Sequence, residues 1–310
     1  MNTFAPIVIP TLNRFTHFKS CIESLSSCID ADKTDLFIFF DYPIMETHWD
    51  GYNKIKEYLP AIKGFKSLQV IERNENFGVV NNFFKSLEYV FERYDRLIFT
   101  EDDNMFPQSF LKFVNKGLAV FEERNDIFSI CGYNYPIRMP INYKDDIYIW
   151  QGFSAWGTGI WKEKWGKLEY ENRIKLQETI KLFLSDESNV KLCNSISGNY
   201  VRGLNRIVET GHIIGDTMVS YHQIVNGMYS VFPKISRVRN TGHDGSGEHG
   251  GVVLKDTYRS QKVLAGDCNY EMPVNIKPNK KIDKVLYNHF RTPLSRKMKD
   301  WILKNLFWQN

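Results

Sequence analysis

The sequence predicts an α/β fold built around a mainly parallel sheet. Over about the first 130 residues, short apolar runs alternate with longer segments in which apolar side chains recur every three to four positions. Short apolar runs are typical of buried strands, the longer spacing is typical of amphipathic helices, and their alternation is typical of βαβ units. Several runs end directly at polar side chains, so candidate functional residues fall at the carboxyl edge of the sheet, where open α/β sheets bind ligands.

Five strands and four helices follow from this pattern. Pro107 suits the first turn of the fourth helix, because proline lacks the backbone N–H that a first turn leaves unpaired. The strands are predicted at residues 7–9, 36–40, 68–71, 97–99 and 127–131, and the helices at the apolar faces of residues 18–29, 52–59, 80–91 and 110–121.

The composition is that of a globular protein. The 310 residues are 43% hydrophobic and 25% charged, which is enough apolar material for one large domain or two closely packed ones. No run of about 18 apolar residues is present, so the sequence predicts no membrane-spanning helix. Five cysteines without a CxxC pair favour buried thiols in a reducing compartment, and we therefore expect a cytoplasmic protein.

The positive charge is concentrated near the C-terminal end. Residues 277–310 contain nine Lys or Arg and two Asp or Glu, an excess larger than the net charge of +4 of the whole chain. The rest of the chain is therefore slightly acidic. We expect no general nucleic-acid-binding surface and no nucleic-acid partner.

Three adjacent acids, Glu101, Asp102 and Asp103, follow the fourth predicted strand. Buried side by side, these carboxylates would repel one another unless a cation neutralised them. Mg²⁺ and Mn²⁺ prefer hard oxygen ligands and commonly take one or two carboxylates together with diphosphate oxygens and water. The triplet therefore indicates a site for a metal and a diphosphate. The alternative is a solvated acidic turn ahead of a helix, whose N-terminus favours negative charge.

The segment around the triplet resembles a motif of a known family. Residues 99–107, Phe-Thr-Glu-Asp-Asp-Asn-Met-Phe-Pro, resemble the DxD-type metal motif of GT-A glycosyltransferases. The Glu-Asp-Asp form is that of the family of the Golgi β1,2-N-acetylglucosaminyltransferase that initiates hybrid and complex N-glycans. Further segments stand in the order expected of these enzymes and of related bacterial surface-glycan transferases. They are residues 9–14, 39–41, 152–165, 215–218 and 232–249, so the resemblance covers about residues 5–250.

The resemblance implies a role for each acid. Asp103 would be the direct metal ligand, while Glu101 and Asp102 would contact the ribose and sugar of the donor. Asp41 would hydrogen-bond the uracil. Asp216 would be the general base that takes the proton of the acceptor hydroxyl. The alternative for Asp216 is a purely structural role as the cap of the helix that follows.

Two loops carry further implied site residues. Pro10, Thr11 and Arg14 belong to the opening strand and its loop, and Arg14 would share the diphosphate charge with the metal. His243 and His249 lie in a glycine-rich late loop. The two histidines would contact the metal or the diphosphate, or else lie idle in a polar surface loop.

Some features depart from the family pattern. Residues 76–82 carry no Arg or Lys near the nucleotide, and Gly215 and Thr217 stand where relatives have aromatic neighbours of the catalytic aspartate. We therefore expect an acceptor pocket that differs from that of the relatives. Trp156 belongs to a Trp/Gly-rich block and is expected to line the donor site by stacking on a sugar face, or else to pack in the core.

The resemblance implies a GT-A fold, in which a mainly parallel Rossmann-like sheet is flanked by helices, and an inverting transfer from a UDP-sugar. The expected cofactor is Mn²⁺ or Mg²⁺, and the first expected donor is UDP-N-acetylglucosamine. The expected acceptor is a hydroxyl of a polysaccharide or lipid-linked glycan, such as a capsule or lipopolysaccharide repeat. A sugar-phosphate nucleotidyltransferase would need a Gly-rich basic loop after the first strand, and residues 11–15 lack glycine. A non-catalytic carbohydrate-binding relative is the other alternative, because 15% of the residues are aromatic.

Three regions are predicted along the chain. Residues 1–133 form a nucleotide-sugar-binding half, residues 134–265 an acceptor-binding and catalytic half, and residues 266–310 a linker with a basic amphipathic helical tail. Such a tail is suited to an anionic membrane surface, which would hold the enzyme at the inner face of the cell membrane beside a lipid-linked acceptor. The alternative is packing on the transferase body or on the second subunit of a homodimer.

Overall fold

One mixed sheet of eight strands organises the protein. The computed structural model describes residues 4–168, 172–213, 215–246, 258, 260–264 and 269–291. The strands are β1 (Ile7–Thr11), β2 (Asp35–Phe40), β3 (Ser67–Glu72), β4 (Arg96–Phe99), β5 (Asn104–Met105), β6 (Ile127–Cys131), β7 (Ile147–Trp150), β8 (Thr158–Trp161), β9 (Tyr229–Pro233) and β10 (Arg239–Asn240). The α-helices are α1 (Phe15–Ser26), α2 (Trp49–Tyr58), α3 (Gly78–Phe91), α4 (Phe110–Val120), α5 (Lys162–Trp165), α6 (Arg173–Ser185), α7 (Glu187–Ile196), α8 (Tyr200–Thr210), α9 (Gly215–Val225) and α10 (Lys280–Phe290).

The large sheet has the strand order β3-β2-β1-β4-β8-β6-β9-β7. The strands β1 to β4 are parallel to one another, as expected for strands joined through helices. β8 runs antiparallel between β4 and β6, and β7 runs antiparallel to β9 at the far edge. β5 and β10 form a separate antiparallel pair just beyond the carboxyl end of β4.

Alternating side chains of the strands contribute to two hydrophobic cores, one on each face of the sheet. On β1, Ile7 and Ile9 belong to the core formed with α1, α2 and α4. Val8 belongs to the opposite core, which is formed with α3 and with the helices of the second half of the chain. All three side chains are completely buried. The apolar faces predicted for the first four helices are therefore the faces that pack on the sheet.

The predicted α/β fold is confirmed, and the predicted strands and helices of the first half are all present. One detail of the prediction is wrong. Helix α4 begins at Phe110, and Pro107 lies in the preceding turn, where its carbonyl oxygen accepts a hydrogen bond from the Phe110 N–H. The structure adds the strand order: β8 lies between β4 and β6 and pairs with both.

The second half of the chain is built into the same sheet as the first. β7, β8 and β9 all come from residues 134–265. β8 pairs with β4 from Arg96 opposite Trp161 to Phe99 opposite Thr158. Because β8 runs in the reverse direction, the segment just before it arrives at the carboxyl end of β4. The topology thus brings the Trp/Gly-rich block to the acid triplet.

The last described helix, α10, packs on the second half. Asn279 caps its N-terminus, and Ile282 and Leu286 are completely buried. At its other end, Phe290 stacks on Trp150 with ring centroids 5.5 Å apart. The predicted basic stretch beyond residue 291 lies outside the described residues. None of the helices in the described ranges is both long enough and apolar enough to cross a membrane.

Candidate active site

The acid triplet lies in the loop between β4 and β5. Two completely buried polar side chains fix the start and end of this loop: Asn104 Nδ2 donates to Thr100 Oγ1 at 3.0 Å. Asp103 is buried, and Glu101 and Asp102 are partly buried. The carboxyl end of β4 therefore presents three neighbouring carboxylates in a recess with restricted access to water.

Two of these carboxylates are bonded by residues predicted from the opening segment. Thr11 Oγ1, at the end of β1, donates to Asp102 Oδ2 at 2.6 Å. Arg14 Nη1, at the start of α1, donates to Asp103 Oδ2 at 2.7 Å and lies 4.0 Å from Asp102 Oδ1. Since β1 and β4 are neighbours in the sheet, their carboxyl ends bring these four side chains together.

The triplet carries more negative charge than its surroundings neutralise. Burial raises the pKa of Glu101 well above its usual range, and the charges of Asp103 and Asp216 raise it further. Burial and the charge of Asp103 raise the pKa of Asp102 to about 6, and the nearby donors offset this only in part. Like charges that cannot all ionise at ordinary pH are a common feature of functional sites.

The late loop after β10 is bonded directly to Asp103. Asn240 Nδ2 donates to Asp103 Oδ1 at 2.8 Å, and the N–H and hydroxyl of Thr241 both donate to the Asp103 carbonyl oxygen, at 2.9 and 2.8 Å. Gly242 follows, and a Cβ at this position would lie 1.9 Å from Asp103 Oδ2. Only glycine allows the loop to approach the carboxylate this closely.

His17, on the first turn of α1, also binds the late loop and was missed by sequence reasoning. Its Nε2 lies 2.8 Å from Asp244 Oδ2, and its Nδ1 lies 3.1 Å from Thr241 Oγ1. The Thr241 hydroxyl donates to the Asp103 carbonyl oxygen, so both ring nitrogens of His17 lie beside oxygen atoms of the late loop. A signal was present in the sequence, since His17 follows Arg14 by three positions and shares its side of the helix.

Asp244 anchors the late loop to α1. Burial would raise the pKa of this carboxyl, but hydrogen bonds from the side chain and backbone of Ser246, and from His17, hold it well below the usual range. The carboxylate is therefore ionised at neutral pH. It also lies 3.8 Å from Arg14 Nη2, so one loop aspartate contacts both Arg14 and His17.

Trp156 is held by the triplet through its ring nitrogen. The indole Nε1 donates to Glu101 Oε2 at 2.9 Å. The ring meets Tyr133 edge to face, with centroids 4.7 Å apart, and has similar contacts with His243 and Tyr258 at 5.8 and 5.7 Å. His243 stacks on Tyr258 at 4.5 Å, and its Nε2 has no hydrogen-bond partner among the described residues. The predicted Trp156 and His243 are thus neighbours beside Glu101.

Other predicted site residues lie apart from the triplet. Asp41, at the end of β2, accepts hydrogen bonds from the backbone N–H groups of Phe77 and Gly78 at 2.8 and 3.0 Å, and so caps the start of α3. Pro10 lies within β1. The predicted His249 lies outside the described residues.

Asp216 lies in the first turn of α9. Although the residue as a whole is solvent-exposed, the protein around its carboxyl group desolvates that group and raises its pKa to about 7, and a hydrogen bond from the backbone of Ala155 partly offsets this rise. Together with burial, the Asp216 charge raises the pKa values of Glu101, Tyr135 and Tyr200. Asp216 is therefore close enough to Glu101 and to the two tyrosines to act on them electrostatically.

The segment before β8 joins the two groups of acids. Ala155 binds Asp216 through its backbone, and the next residue, Trp156, binds Glu101 through its side chain. A carboxyl group with a pKa near neutrality suits proton transfer at physiological pH. The recess thus combines an anionic cluster, one guanidinium and a separate carboxyl able to act as a base.

The triplet fits a divalent cation in an open site. In the described part of the chain, no group of three or more His, Cys, Asp or Glu side chains is placed so that it could hold a metal ion by itself. Mg²⁺ and Mn²⁺ do not need such a cage, because one or two carboxylates with substrate oxygens and water complete their coordination. Asp102 and Asp103 offer hard oxygen atoms, and burial together with the charge of Asp103 raises the pKa of Asp102. These residues suit a cation that binds together with an anionic ligand.

A second concave region lies away from the recess. It is a cleft of about 670 Å³ between α7 and α10. Its lining includes three lysines and one partly buried acid, Asp283, whose pKa burial raises to about 6. None of the acids of the triplet lines this cleft.

The chain has partial similarity to solved structures of a mannosyltransferase and of TarS. Mannosyltransferase PcManGT from Pyrobaculum calidifontis, in complex with GDP-Man and Mn²⁺, is 14% identical, with a TM-score of 0.35 over 52% of this chain and 46% of that chain. S. aureus TarS is 12% identical, with a TM-score of 0.34 over 49% of this chain and 27% of that chain. Residues 1–349 of TarS in complex with UDP-GlcNAc give 17% identity and a TM-score of 0.30, over 45% and 35% of the two chains.

The present chain spans less than half the length of each of these structures. No protein-family model and no curated protein sequence matches it.

Proposed function

We propose that the chain is an inverting, metal-dependent glycosyltransferase that moves a sugar from a nucleotide-sugar donor to an acceptor hydroxyl. The observation that carries the proposal is that two consecutive residues ahead of β8 hold the two groups of acids: Ala155 binds Asp216 through its backbone, and Trp156 binds Glu101 through its indole N–H. This arrangement provides an anion-binding group for a donor and a separate base for an acceptor. The sequence resemblance to GT-A enzymes supports the same assignment.

On the donor side, Asp103 would be the metal ligand, and Asp102, held by Thr11, would lie beside it. Bound there, Mn²⁺ or Mg²⁺ would stabilise the charge of a departing nucleoside diphosphate. Arg14 carries a planar guanidinium suited to phosphate oxygens. Glu101, oriented by Trp156, would face the sugar or ribose of the donor.

On the acceptor side, Asp216 would take the proton of the attacking hydroxyl. Its pKa of about 7 means that a large fraction is ionised at neutral pH, while the ionised form still has useful basicity. The Ala155 N–H holds the carboxylate in place. A single base on the face opposite the leaving group is consistent with a one-step displacement that inverts the anomeric centre.

The identities of donor and acceptor rest on the sequence resemblance. UDP-N-acetylglucosamine is the first donor to test, and the acceptor would be a hydroxyl of a polysaccharide or lipid-linked glycan. Binding of uracil by Asp41, of the metal or diphosphate by His243 or His249, and of a membrane or second subunit by the C-terminal tail are further predictions of the same kind.

The experiment measures UDP release from a panel of UDP-sugars, with Mn²⁺, with Mg²⁺ and with chelator, alongside UDP binding by calorimetry. We expect cation-dependent UDP binding and cation-dependent UDP release. Asp103→Asn should lose both, because it removes the anionic ligand, whereas Asp50→Asn, which changes an exposed aspartate on α2, should lose neither. UDP affinity that is the same in chelator and in Asp103→Asn would contradict the proposal. Pyrophosphate release would indicate a nucleotidyltransferase, and sugar binding without turnover a binding protein.

A further inference from the structure

We infer that Arg14 occupies the position on Asp103 that a divalent cation needs, so that the protein binds the cation tightly only when a diphosphate is there to receive Arg14. The inference rests on the proposed function and specifies how the charges of that site are exchanged when the donor binds.

Both oxygens of the Asp103 carboxylate already accept hydrogen bonds. Oδ1 accepts from Asn240 Nδ2 at 2.8 Å, and Oδ2 accepts from Arg14 Nη1 at 2.7 Å. The two ion-pair partners are largely shielded from water, with exposed side-chain fractions of 16% for Arg14 and 10% for Asp103. A cation approaching this carboxylate therefore meets a charged donor already in place.

Of the two donors to the Asp103 carboxylate, Arg14 is the one that is free to leave. Asn240 is buried, lies on β10 in the ladder with β5, and also donates to Asn104 Oδ1 at 3.0 Å. Moving it would disrupt that ladder. Arg14 sits just ahead of α1 on a flexible side chain, so it is the partner that rotation of side-chain bonds can remove.

The positive charge of Arg14 opposes the binding of a cation to the same carboxylate. Among the described residues, Arg14 is the one Lys or Arg that forms an ion pair with the triplet, at 2.7 Å from Asp103 and 4.0 Å from Asp102. A guanidinium and a divalent cation on one carboxylate would repel each other strongly at such distances. The protein would lose the Arg14 pair whenever a cation bound alone.

Arg14 has a second set of partners, which lie in the late loop. Its Nε donates to Ser246 Oγ at 3.1 Å, its Nη2 donates to the Gly242 carbonyl at 3.4 Å, and Asp244 lies 3.8 Å away. These contacts would keep the guanidinium above the triplet after it leaves Asp103. A diphosphate bound to the cation would then give Arg14 a new anionic partner with matching geometry.

The test is Mn²⁺ binding, measured as free Mn²⁺ by electron paramagnetic resonance, with and without UDP. Arg14→Gln removes the competing charge, so we expect it to bind Mn²⁺ alone on the order of tenfold more tightly than the unmodified protein does. UDP should strengthen Mn²⁺ binding to both proteins, because its phosphates are ligands. UDP should strengthen Mn²⁺ binding by a smaller factor in Arg14→Gln than in the unmodified protein. The affinity of Arg14→Gln for UDP in the presence of Mn²⁺ should also be lower than that of the unmodified protein.

Two further variants and a folding control make the Mn²⁺ result interpretable. Arg14→Lys keeps the charge but loses the fork that reaches the loop, and should shift Mn²⁺ affinity in the same direction by less. Arg93→Gln, an exposed arginine that contacts Tyr89 on α3, should leave Mn²⁺ binding unchanged. Thermal melting of each variant checks folding, and Arg14→Lys carries the test if Arg14→Gln does not fold.

The outcomes separate this inference from the proposed function. Mn²⁺ binding that is unchanged or weaker in both Arg14 variants would overturn the inference, since Arg14 would then support the cation site. Asp103→Asn should bind Mn²⁺ poorly with or without UDP. If Asp103→Asn bound Mn²⁺ normally, the triplet would not be the cation site and the proposed function itself would fail.

Discussion

The two ends of the β4–β8 strand pair both hold buried charge, and they hold it in opposite ways. At the amino end of β4, Lys164 is only 6% exposed, and its Nζ donates to the carbonyl oxygens of Ile127, Arg124 and Phe121 at 2.8, 3.0 and 3.3 Å. The ammonium also lies 3.8 Å from the centre of the Trp161 ring. At the carboxyl end, three carboxylates share one guanidinium.

The buried charges at the two ends differ in how completely the fold compensates them. Burial lowers the pKa of Lys164 to about 8, but all three of its protons have acceptors, so the cation is fully bonded within the fold. At the other end, burial and the charge of Asp103 raise the pKa values of Glu101 and Asp102, and part of the charge is left without compensation. Buried charge alone is thus a weak sign of a site, whereas buried charge that needs a further counter-ion is a strong one.

The largest effect is expected from Asp216→Asn, which should lower kcat by roughly 10² to 10⁴-fold because the amide cannot accept a proton, while UDP binding persists. In the unmodified enzyme, kcat/KM should rise with pH and level off above about 7, where the carboxyl ionises. Steady-state kinetics across pH tests both points. Asp50→Asn, also in the first turn of a helix, controls for helix electrostatics. Turnover near that of the unmodified enzyme would show that another group is the base.

At the other end of the strand pair, Lys164→Met should lower the free energy of unfolding by about 2–4 kcal/mol, because three buried carbonyl groups lose their donor. The folded fraction should keep its normal kcat. Urea denaturation measures the loss, and Lys167→Met gives the matched control, since Lys167 is exposed and forms an ion pair with the exposed Glu163. A change of similar size in both variants would mean that the Lys164 hydrogen bonds contribute little.

A smaller effect of opposite sign is expected from Asp102→Asn, which should raise the free energy of unfolding at pH 7 by about 1–2 kcal/mol. The folded pKa of about 6 lies above the ordinary 3.8, so the folded state binds more protons between these values. The stability of the unmodified protein should therefore fall as pH rises from about 4 to 6.

The gain in the free energy of unfolding from Asp102→Asn should consequently become smaller as the pH is lowered from about 6 to about 4. Denaturation at several pH values measures this trend. Asp95→Asn, exposed in the turn before β4, should show no such pH-dependent gain. Destabilisation by Asp102→Asn at pH 7 would mean that the hydrogen bond from Thr11 outweighs the repulsion.

Local pattern was sufficient to predict the first half of the fold and the acid triplet. Buried parallel strands have nearly continuous apolar runs, and the polar residues that end them fall at the same edge by geometry. Thr11 and Arg14 follow from this rule, because the end of β1 adjoins the end of β4. Their contacts with Asp102 and Asp103 could therefore be anticipated in kind, if not in detail.

Features that depend on contacts between distant segments could not be predicted. Lys164 lies in the sequence Lys-Glu-Lys-Trp, which by composition resembles a solvated turn, and only the packing of β8 and α5 on the end of α4 buries it. Asp41 ends a strand as a ligand-binding acid would, yet its hydrogen-bond donors, Phe77 and Gly78, come from the start of α3. The hydrogen bond from the Ala155 backbone to Asp216 likewise joins distant segments, so it could be predicted only once the position of α9 in the fold was known.

The insertion of β8 between β4 and β6 has a consequence for how the chain can be divided. A fragment of residues 1–133 would contain β6 without either of its neighbours, β8 and β9, and would leave the edge of β4 unpaired. Exposed strand edges promote pairing with other chains. During synthesis, more than fifty further residues must be added after β4 before its partner strand β8 has been made. The protein should therefore fold late in synthesis and as one cooperative unit. Exchange of its halves between related enzymes should therefore give aggregation unless β8 travels with β4.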